Sequence, residues 1–163
     1  MGWNPAELCD RADIVDNQHR YAMGIDRRDW PLYRSVFADR IRLDFTEWHG
    51  GEPLELEADE WVGRVAARQT GFDATQHQMS NHLVTLSGDR AECTTYVIAR
   101  HCIRTDGADR IQAIGGYYSN RLARFEDGWK ITDCTLKVLW TRGDPRLFEL
   151  AAQRLRERGS DGG

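Results

Sequence analysis

Three residues that can take part in acid–base chemistry lie far apart in the sequence: Asp26, His77 and His101. A carboxylate that accepts one ring N–H of a histidine fixes the tautomer of that ring and raises the basicity of its other nitrogen. Such a pair can remove a proton next to a carbonyl or a leaving group without a metal or a cofactor. We therefore take the three residues as candidate catalytic residues and expect no cofactor.

Each candidate also has an ordinary structural explanation. Asp26 can be a solvated carboxylate at a helix end, paired with Arg27 or Arg28. A strand histidine such as His77 or His101 can simply hydrogen bond to the backbone. The functional hypothesis therefore depends on whether the fold brings the three side chains together.

The spacing of the histidines and cysteines disfavours a metal site. His77 and His82 fall on opposite sides of one predicted strand unless a bulge intervenes, and the chain has no Cys-x2-Cys or His-x3-His pair to complete a tetrahedral set. We expect His82 to pack on the outer face of the sheet or at a partner interface. His19 and His49 are expected to be surface residues.

Helices that come first and long strands that follow must position the candidates. Apolar residues at helical spacing predict helices over 5–26, 59–69 and 144–156, with a short second helix capped by Asp29. Strict alternation predicts a strand over 40–45, and tight turns separate four long strands over 74–86, 90–104, 110–125 and 129–141. Strands this long, joined consecutively, form a meander that must twist and coil strongly.

This order of elements predicts an α+β domain. A strongly curved antiparallel sheet is closed into a cone by three N-terminal helices and a C-terminal helix. We place the single domain at residues 1–158. A flexible tail is expected at 159–163, because the last residues are Gly-Ser-Asp-Gly-Gly.

Alternation also separates the two faces of the sheet. Along 91–103 the small and apolar set, which ends with His101, is the inner face. On the preceding strand the inward set is Thr75, His77, Met79, Asn81 and Leu83. The outer face carries Tyr96, Ile98 and Tyr118, which is more apolar than water favours, and this predicts a homodimer or homotrimer through that face.

The composition excludes several classes of function. The chain has 163 residues and a net charge of −4, so it lacks the basic excess that binds nucleic acid or an anionic membrane surface. No apolar run approaches the ~20 residues that cross a bilayer, and the N-terminus has no signal-peptide pattern. We therefore expect a cytoplasmic protein whose ligand is a small molecule.

Several short motifs resemble those of one protein family. They are Arg20-Tyr21-Ala22, Ile25-Asp26-Arg27-Arg28-Asp29-Trp30, Thr75-Gln76-His77, Asn81-His82, Asp127-Gly128-Trp129-Lys130 and Leu139-Trp140. Together they are similar to the SnoaL-like proteins of the nuclear transport factor 2-like (NTF2-like) superfamily, in the branch of scytalone dehydratase and hexachlorocyclohexane dehydrochlorinase. The resemblance covers about residues 8–150 and implies the same cone-shaped fold.

The resemblance also implies a role for each candidate. Asp26 matches the family's catalytic aspartate, and His77 matches the histidine that acts as general base in elimination. His101 matches the second histidine of the scytalone dehydratase branch. Tyr21 lies five residues before Asp26, where a bile-acid dehydratase of the same superfamily has a functional tyrosine.

The sequence departs from the scytalone dehydratase branch at two positions. Ile25 and Phe45 stand where that branch has the tyrosines that hold the water polarising the substrate carbonyl. The departure argues against that substrate but leaves the base in place. Tyr117 and Ser119 fall near the polar pocket residues of the branch and could substitute for them.

The sequence therefore predicts a lyase or isomerase that acts on a small, apolar, cyclic molecule through a His–Asp dyad. His77 takes the proton, Asp26 orients it, and His101 protonates the leaving group or holds water. We expect the substrate to contact Tyr21, Phe45, Trp61, Met79, Asn81, Val97, Tyr117, Ser119, Trp140 and Phe148. Two other functions stay open on this fold: a non-catalytic ligand-binding or partner subunit, and a polyketide cyclase or epoxide hydrolase.

Overall fold

The computed structural model describes residues 4–160, which form five helices and six strands. In chain order the elements are α1 (Pro5–Arg27), α2 (Trp30–Ser35), β1 (Phe37–Asp44), α3 (Thr46–His49), β2 (Leu54–Glu57), α4 (Ala58–Gln69), β3 (Ala74–Ser87), β4 (Arg90–Ile103), β5 (Arg110–Phe125), β6 (Gly128–Gly143) and α5 (Leu147–Ser160). All four predicted helices and all five predicted strands are present. Alternation did not predict α3 or β2, because four residues are too few to establish a period.

The six strands form one curved sheet in the order β2-β1-β6-β5-β4-β3. Neighbouring strands are antiparallel except β1 and β6, which run parallel. The N-terminal helices pack on one side of this sheet, and α5 packs against β4 and β5. The arrangement confirms the predicted α+β cone, and it places the main apolar core between the sheet and the helices.

The two ends of α1 determine where Asp26 lies. Asn4 caps the start of the helix through a reciprocal pair of 2.9 Å hydrogen bonds with Glu7. At the other end Arg28 takes a left-handed conformation (φ 56°), and its N–H donates to the carbonyl of Ile25 at 3.1 Å. The helix therefore stops just after Asp26, which lies in its last turn.

Helix α2 packs closely against this last turn of α1. The Asp29 carboxylate caps α2 by accepting a 3.0 Å hydrogen bond from the N–H of Leu32, as predicted. The close approach requires glycine at position 24, because a Cβ there would lie 2.7 Å from the Cα of Tyr33. Tyr33 is consequently buried completely between α1 and the sheet.

A buried chain of side-chain amides fastens the middle of α1 to the sheet. Asn17 donates hydrogen bonds of 3.0 Å to the carbonyls of Val36 and Trp129. Gln18 donates to the Asn17 oxygen at 3.2 Å and accepts from Asn120 on β5 at 2.7 Å. These bonds fix the position of α1 along the sheet, and with it the position of Asp26.

Strand β3 contains a bulge that reverses its faces partway along. Its register against β4 shifts between Ser80 and Leu83, and Asn81 takes a left-handed conformation with φ 54°. Beyond the bulge the Nδ1 of His82 lies 2.9 Å from the hydroxyl of buried Thr95, and Leu83 is 66% exposed. The predictions that Asn81 and Leu83 face inward and that His82 lies on the outer face are therefore wrong.

The closing helix α5 continues beyond its predicted end, to Ser160. It includes the first two residues of the predicted tail at 159–163, and the last three lie outside the described residues. Leu147 and Ala151 of α5 pack with Phe72 and Ile103 in a small second core. None of the helices between residues 4 and 160 has both the length and the apolar character needed to cross a membrane.

Replacing Asn17 with alanine should lower the free energy of unfolding by about 1–3 kcal/mol, because the buried carbonyls of Val36 and Trp129 each lose a hydrogen bond, while Val36 keeps the one from the N–H of Ile131. Urea denaturation followed by circular dichroism measures the change. Asp13→Ala, at an exposed position on the same helix, is the control and should change stability by less than about 0.5 kcal/mol. Equal stability of Asn17→Ala and the wild-type protein would contradict this role for the amide chain.

Candidate active site

The Asp26 carboxylate joins the last turn of α1 to the first residues of β3. One oxygen accepts from the ring Nδ1 of His77 at 2.7 Å and from the hydroxyl of Thr75 at 3.0 Å. The other oxygen accepts from the backbone N–H of His77 at 2.7 Å. The side chains of His77 and Asp26 are only 5% and 18% exposed, so this pair is largely shielded from water.

The protonation state of Asp26 follows from these contacts. Burial alone would raise the pKa of the carboxyl, but the hydrogen bonds and the charge interaction with His77, helped by Thr75, outweigh it. The pKa of Asp26 consequently lies below its ordinary value, and the group is an anion at neutral pH. The anion accepts the Nδ1–H of His77, so in the neutral form of this ring Nε2 is the nitrogen that carries the lone pair.

The elements around the dyad hold it in register. The guanidinium of Arg28, at the end of α1, donates to the carbonyl of Phe72 at 2.5 Å, just before β3 begins. The N–H of Asp73 donates to the carbonyl of Cys102 at 2.9 Å and starts the β3–β4 pairing, in which His77 lies opposite Ala99. The dyad therefore depends on a helix end that is bonded to the start of β3 and on a strand start that is bonded to β4.

His101 lies beside His77 but in a much drier environment. Its ring centroid is 5.7 Å from that of His77, and it packs between Phe72 and Phe148 at 4.9 and 4.7 Å. Burial, followed by the neighbouring His77, lowers the pKa of His101 to about 3. At neutral pH this ring is uncharged, so it can donate or accept a hydrogen bond but is not the imidazolium that the expected protonation of a leaving group would require.

A cavity of about 60 Å³ lies between the sheet and the helices, and His77 and His101 form part of its wall. The remaining lining residues are largely apolar or aromatic: Tyr21, Ile25, Tyr33, Phe45, Trp48, Trp61, Val65, Arg68, Gln69, Val97, Ala99, Ile114, Tyr118, Leu136 and Phe148. Among residues 4–160, no three His, Cys, Asp or Glu side chains are grouped so that they could hold a metal ion.

Three tyrosines supply hydroxyl groups to this wall. The Tyr21 ring lies 5.1 Å from that of Tyr33 and 5.3 Å from that of Tyr118, and the Trp61 indole donates to the Tyr33 hydroxyl at 3.0 Å. Burial is the main cause that raises the pKa of all three hydroxyls. They therefore remain protonated at neutral pH, and the Tyr21 hydroxyl hydrogen bonds with those of Tyr33 and Tyr118.

Half of the residues expected to contact substrate lie in the cavity wall and half do not. Tyr21, Phe45, Trp61, Val97 and Phe148 belong to the wall. Met79, Asn81, Tyr117, Ser119 and Trp140 do not belong to it. Met79 is half-buried against the core, and Asn81 is exposed at the bulge of β3.

The errors on β5 and β6 have a common cause in strand register. Tyr118 pairs with inward-facing Thr95, whereas Tyr117 pairs with Tyr96 on the outer face, so the assignment of the two tyrosines to the faces is reversed. Ser119 has the same parity as Tyr117 and is exposed. The ring of Trp140 lies over Gly115 on the outer face, where a Cβ would come within 2.0 Å of it, next to a register shift on β6.

Three lining residues of α4 were not identified from the sequence, namely Val65, Arg68 and Gln69. Val65 and Arg68 share one helix face with Trp61, and Gln69 follows. The helical period of this segment was a usable signal, because Trp61 was already expected to contact the substrate. Tyr33 gave no such signal, because α2 has six residues and only its packing against Gly24 turns this ring inward.

Comparison with known proteins identifies relatives of this chain. The sequence profile of the SnoaL-like domain matches residues 6–135, in agreement with the resemblance noted from the motifs. No curated protein matches the chain.

Solved structures share the fold. The Kfla4162 protein from Kribbella flavida is 29% identical, with a TM-score of 0.80 over 89% of this chain and 98% of that one. A candidate scytalone dehydratase from Novosphingobium aromaticivorans is 18% identical, with a TM-score of 0.71 over 84% and 89% of the two chains. The type 2 hexachlorocyclohexane dehydrochlorinase LinA is also 18% identical, with a TM-score of 0.68 over 84% and 90%. These matches confirm the NTF2-like fold.

The low pKa of His101 makes the stability of the protein depend on pH. The unfolded chain protonates this histidine below its ordinary pKa of 6.5, whereas the folded state resists protonation down to about 3, so acid favours unfolding. Between pH 7.5 and pH 5 the group costs the fold about 2 kcal/mol. The variant His101→Phe should therefore lose about 2 kcal/mol less stability than the wild-type protein over this range.

Urea denaturation at the two pH values measures that difference. The control is His49→Gln, at an exposed histidine, which should follow the wild-type protein. A His101→Phe variant whose stability falls as steeply as that of the wild-type protein would show that His101 is not buried in its neutral form.

Proposed function

The chain belongs to the SnoaL-like domain family, and we propose that it is a cofactor-independent lyase or isomerase that removes a proton from a small cyclic molecule. The observation that carries this proposal is the 2.7 Å hydrogen bond between the Asp26 carboxylate and His77 Nδ1 beside a largely apolar cavity. A histidine whose second nitrogen is held by a carboxylate is suited to general base catalysis.

In the proposed reaction Nε2 of His77 takes the proton from a carbon next to a carbonyl or a leaving group. The electron pair of the broken C–H bond then forms a carbon–carbon double bond. In an elimination the leaving group departs with its own electron pair. In an isomerisation the π electron pair of the carbonyl moves onto its oxygen to give an enolate, and when this pair returns to re-form the carbonyl, His77 delivers the proton to another carbon. Asp26 stabilises the imidazolium that forms in either case.

Negative charge that develops on oxygen needs hydrogen-bond donors in a site without a metal. We assign this task to the hydroxyls of Tyr21 and Tyr118 and to the neutral ring of His101, since all three residues line the cavity. Tyr118 takes the role that the sequence analysis assigned to Tyr117. Donors held in a dry cavity stabilise an enolate better than water does, because they need no reorganisation.

The other two functions use the same cavity. A non-catalytic ligand-binding or partner subunit would keep the apolar wall but would not need the His77–Asp26 bond, and a cyclase or epoxide hydrolase would use the dyad on other substrates. The dehydratase and dehydrochlorinase among proteins of the same fold favour elimination as the first reaction to test.

Two further expectations stay predictions. The outer sheet face carries Tyr96, Leu139 and Trp140, which are 50%, 63% and 44% exposed, and we propose a homodimer or homotrimer through this face. Tyr118 is not part of the patch, since it is buried on the other side of the sheet. A cytoplasmic location is the second expectation.

Replacing His77 with alanine should lower proton transfer about 10²- to 10⁴-fold, because the general base is lost. Asp26→Asn should also lower it, because a neutral amide does not stabilise the imidazolium. The measurement is hydrogen–deuterium exchange on a panel of cyclic ketones by NMR, together with halide release from cyclic halides. The control His19→Gln, at an exposed histidine, should keep wild-type rates. Full activity of His77→Ala, or a wild-type protein that binds panel compounds but transforms none, would contradict the proposal.

A matched pair of tyrosine variants tests the oxyanion donors. Tyr118→Phe should lower kcat about 10- to 10³-fold on a ketone substrate, because one donor to the enolate oxygen is lost. Tyr117→Phe removes the neighbouring hydroxyl, which lies on the outer face, and should leave kcat unchanged. Equal effects of the two substitutions, or none from Tyr118→Phe, would exclude Tyr118 as a donor in the reaction.

A further inference from the structure

One position on the cavity face of α4 carries a charge where the helix period calls for an apolar residue. Trp61, Val65 and Arg68 follow one another at helical spacing, and all three line the cavity. A cation on such a face loses part of its hydration and is retained only where something compensates it. Arg68 is half-buried, so its side chain is partly shielded from bulk water.

The compensation does not come from a carboxylate of the described part of the chain, where no ion pair includes Arg68. Its guanidinium carbon lies 5.8 Å from the centre of the Trp61 ring, which holds the side chain against the cavity wall. Arg64, one turn earlier on the same helix, is different, because it is paired with Glu60 at 2.6 Å and lies outside the cavity.

The charge of Arg68 acts on other groups in the cavity wall. It adds to burial and to His77 in lowering the pKa of His101, and it opposes the effect of burial on the pKa of Tyr118. The carboxylate of Asp26 already accepts three hydrogen bonds from Thr75 and His77. The cavity therefore presents a positive charge that an anionic ligand group can neutralise.

One buried polar atom in the wall also lacks a protein partner among residues 4–160. It is the side-chain oxygen of Gln69, which is 5% exposed. Buried polar groups are normally hydrogen bonded, so unpaired ones that face a cavity indicate where a ligand binds. Gln69 and Arg68 both line the cavity, so the wall offers an acceptor for a ligand hydroxyl or N–H as well as a cation.

We propose that Arg68 pairs with a carboxylate of the ligand, and that Gln69 accepts a hydrogen bond from a hydroxyl or N–H group of the same molecule. The ligand is thus a ring-bearing carboxylic acid with a polar substituent, held between Arg68 and the aromatic wall. A single planar guanidinium fits a carboxylate through two parallel hydrogen bonds, whereas a phosphate dianion would need further cations. That this ligand is also the substrate rests on the proposed function.

Binding of matched neutral and anionic probes tests the site. The probes are benzoate and cyclohexanecarboxylate against benzamide and cyclohexanecarboxamide, titrated at pH 7.5 by isothermal calorimetry. The wild-type protein should bind each acid at least about 10-fold more tightly than its amide. Arg68→Gln should raise the Kd of the acids about 10- to 100-fold and change that of the amides less than about 2-fold. Arg64→Gln should match the wild-type protein, and circular dichroism verifies that both variants fold.

The outcomes separate this inference from the proposed function, because binding does not require proton transfer. Acids that bind through Arg68 to a protein that transforms no substrate would support the anion site and contradict the lyase or isomerase. Proton transfer that depends on His77 in a protein without preference for acids would do the reverse. Equal affinities for acid and amide, an unchanged preference in Arg68→Gln, or no binding of any probe at millimolar concentration would overturn the proposed site.

Discussion

The arrangement of the site depends on the Asp26 carboxylate and on the hydrogen bonds that it accepts. Three hydrogen bonds from Thr75 and His77 converge on it, and they connect the last turn of α1 to the start of β3. A partly buried anion is stable only when its hydrogen bonds offset the loss of hydration. The same bonds fix the His77 ring and its tautomer. The Asp26 carboxylate therefore both connects α1 to β3 and orients His77 as a base. Further along α1, the buried amides of Asn17 and Gln18 hold the helix so that this meeting can occur.

The polar groups near the His77–Asp26 pair differ in charge, because their surroundings differ. His101 is only 5.7 Å from His77 between ring centroids, yet its aromatic neighbours keep it uncharged, and the three tyrosines stay protonated for the same reason of burial. The two imidazole rings, which would be alike in water, therefore have different chemistry. A carboxylate orients the ring of His77, whereas an aromatic environment keeps the ring of His101 neutral. Arg68, by contrast, is a charged residue of the cavity wall that forms no ion pair with a described carboxylate. A site of this composition is suited to a molecule that is mostly apolar with an anionic group at one side.

The orientation of a side chain could be predicted from the sequence wherever it depends on an uninterrupted period. The inner face of β4 from Ala91 to Ile103 is buried as alternation predicts, and the helical stripe of α4 faces inward. Side chains that follow an irregularity in a strand could not be assigned in this way. One left-handed residue, Asn81, reversed β3, and the parity of β5 around Gly115 and Gly116 could be assigned only by its pairing with β4. Because side chains alternate with a period of two, a single extra residue moves every later side chain to the opposite face.

By itself the sequence determined the fold class, the order of the elements and the residue types available for proton transfer, because these follow from local periodicity, caps and motif spacing. Only the tertiary structure decided that Tyr118 rather than Tyr117 lines the cavity, that Trp140 lies on the outer face, and that His101 is neutral. Those properties depend on strand register and on the dielectric surroundings of each side chain. Both are set by residues distant in sequence, which is why a pattern read along the chain does not contain them.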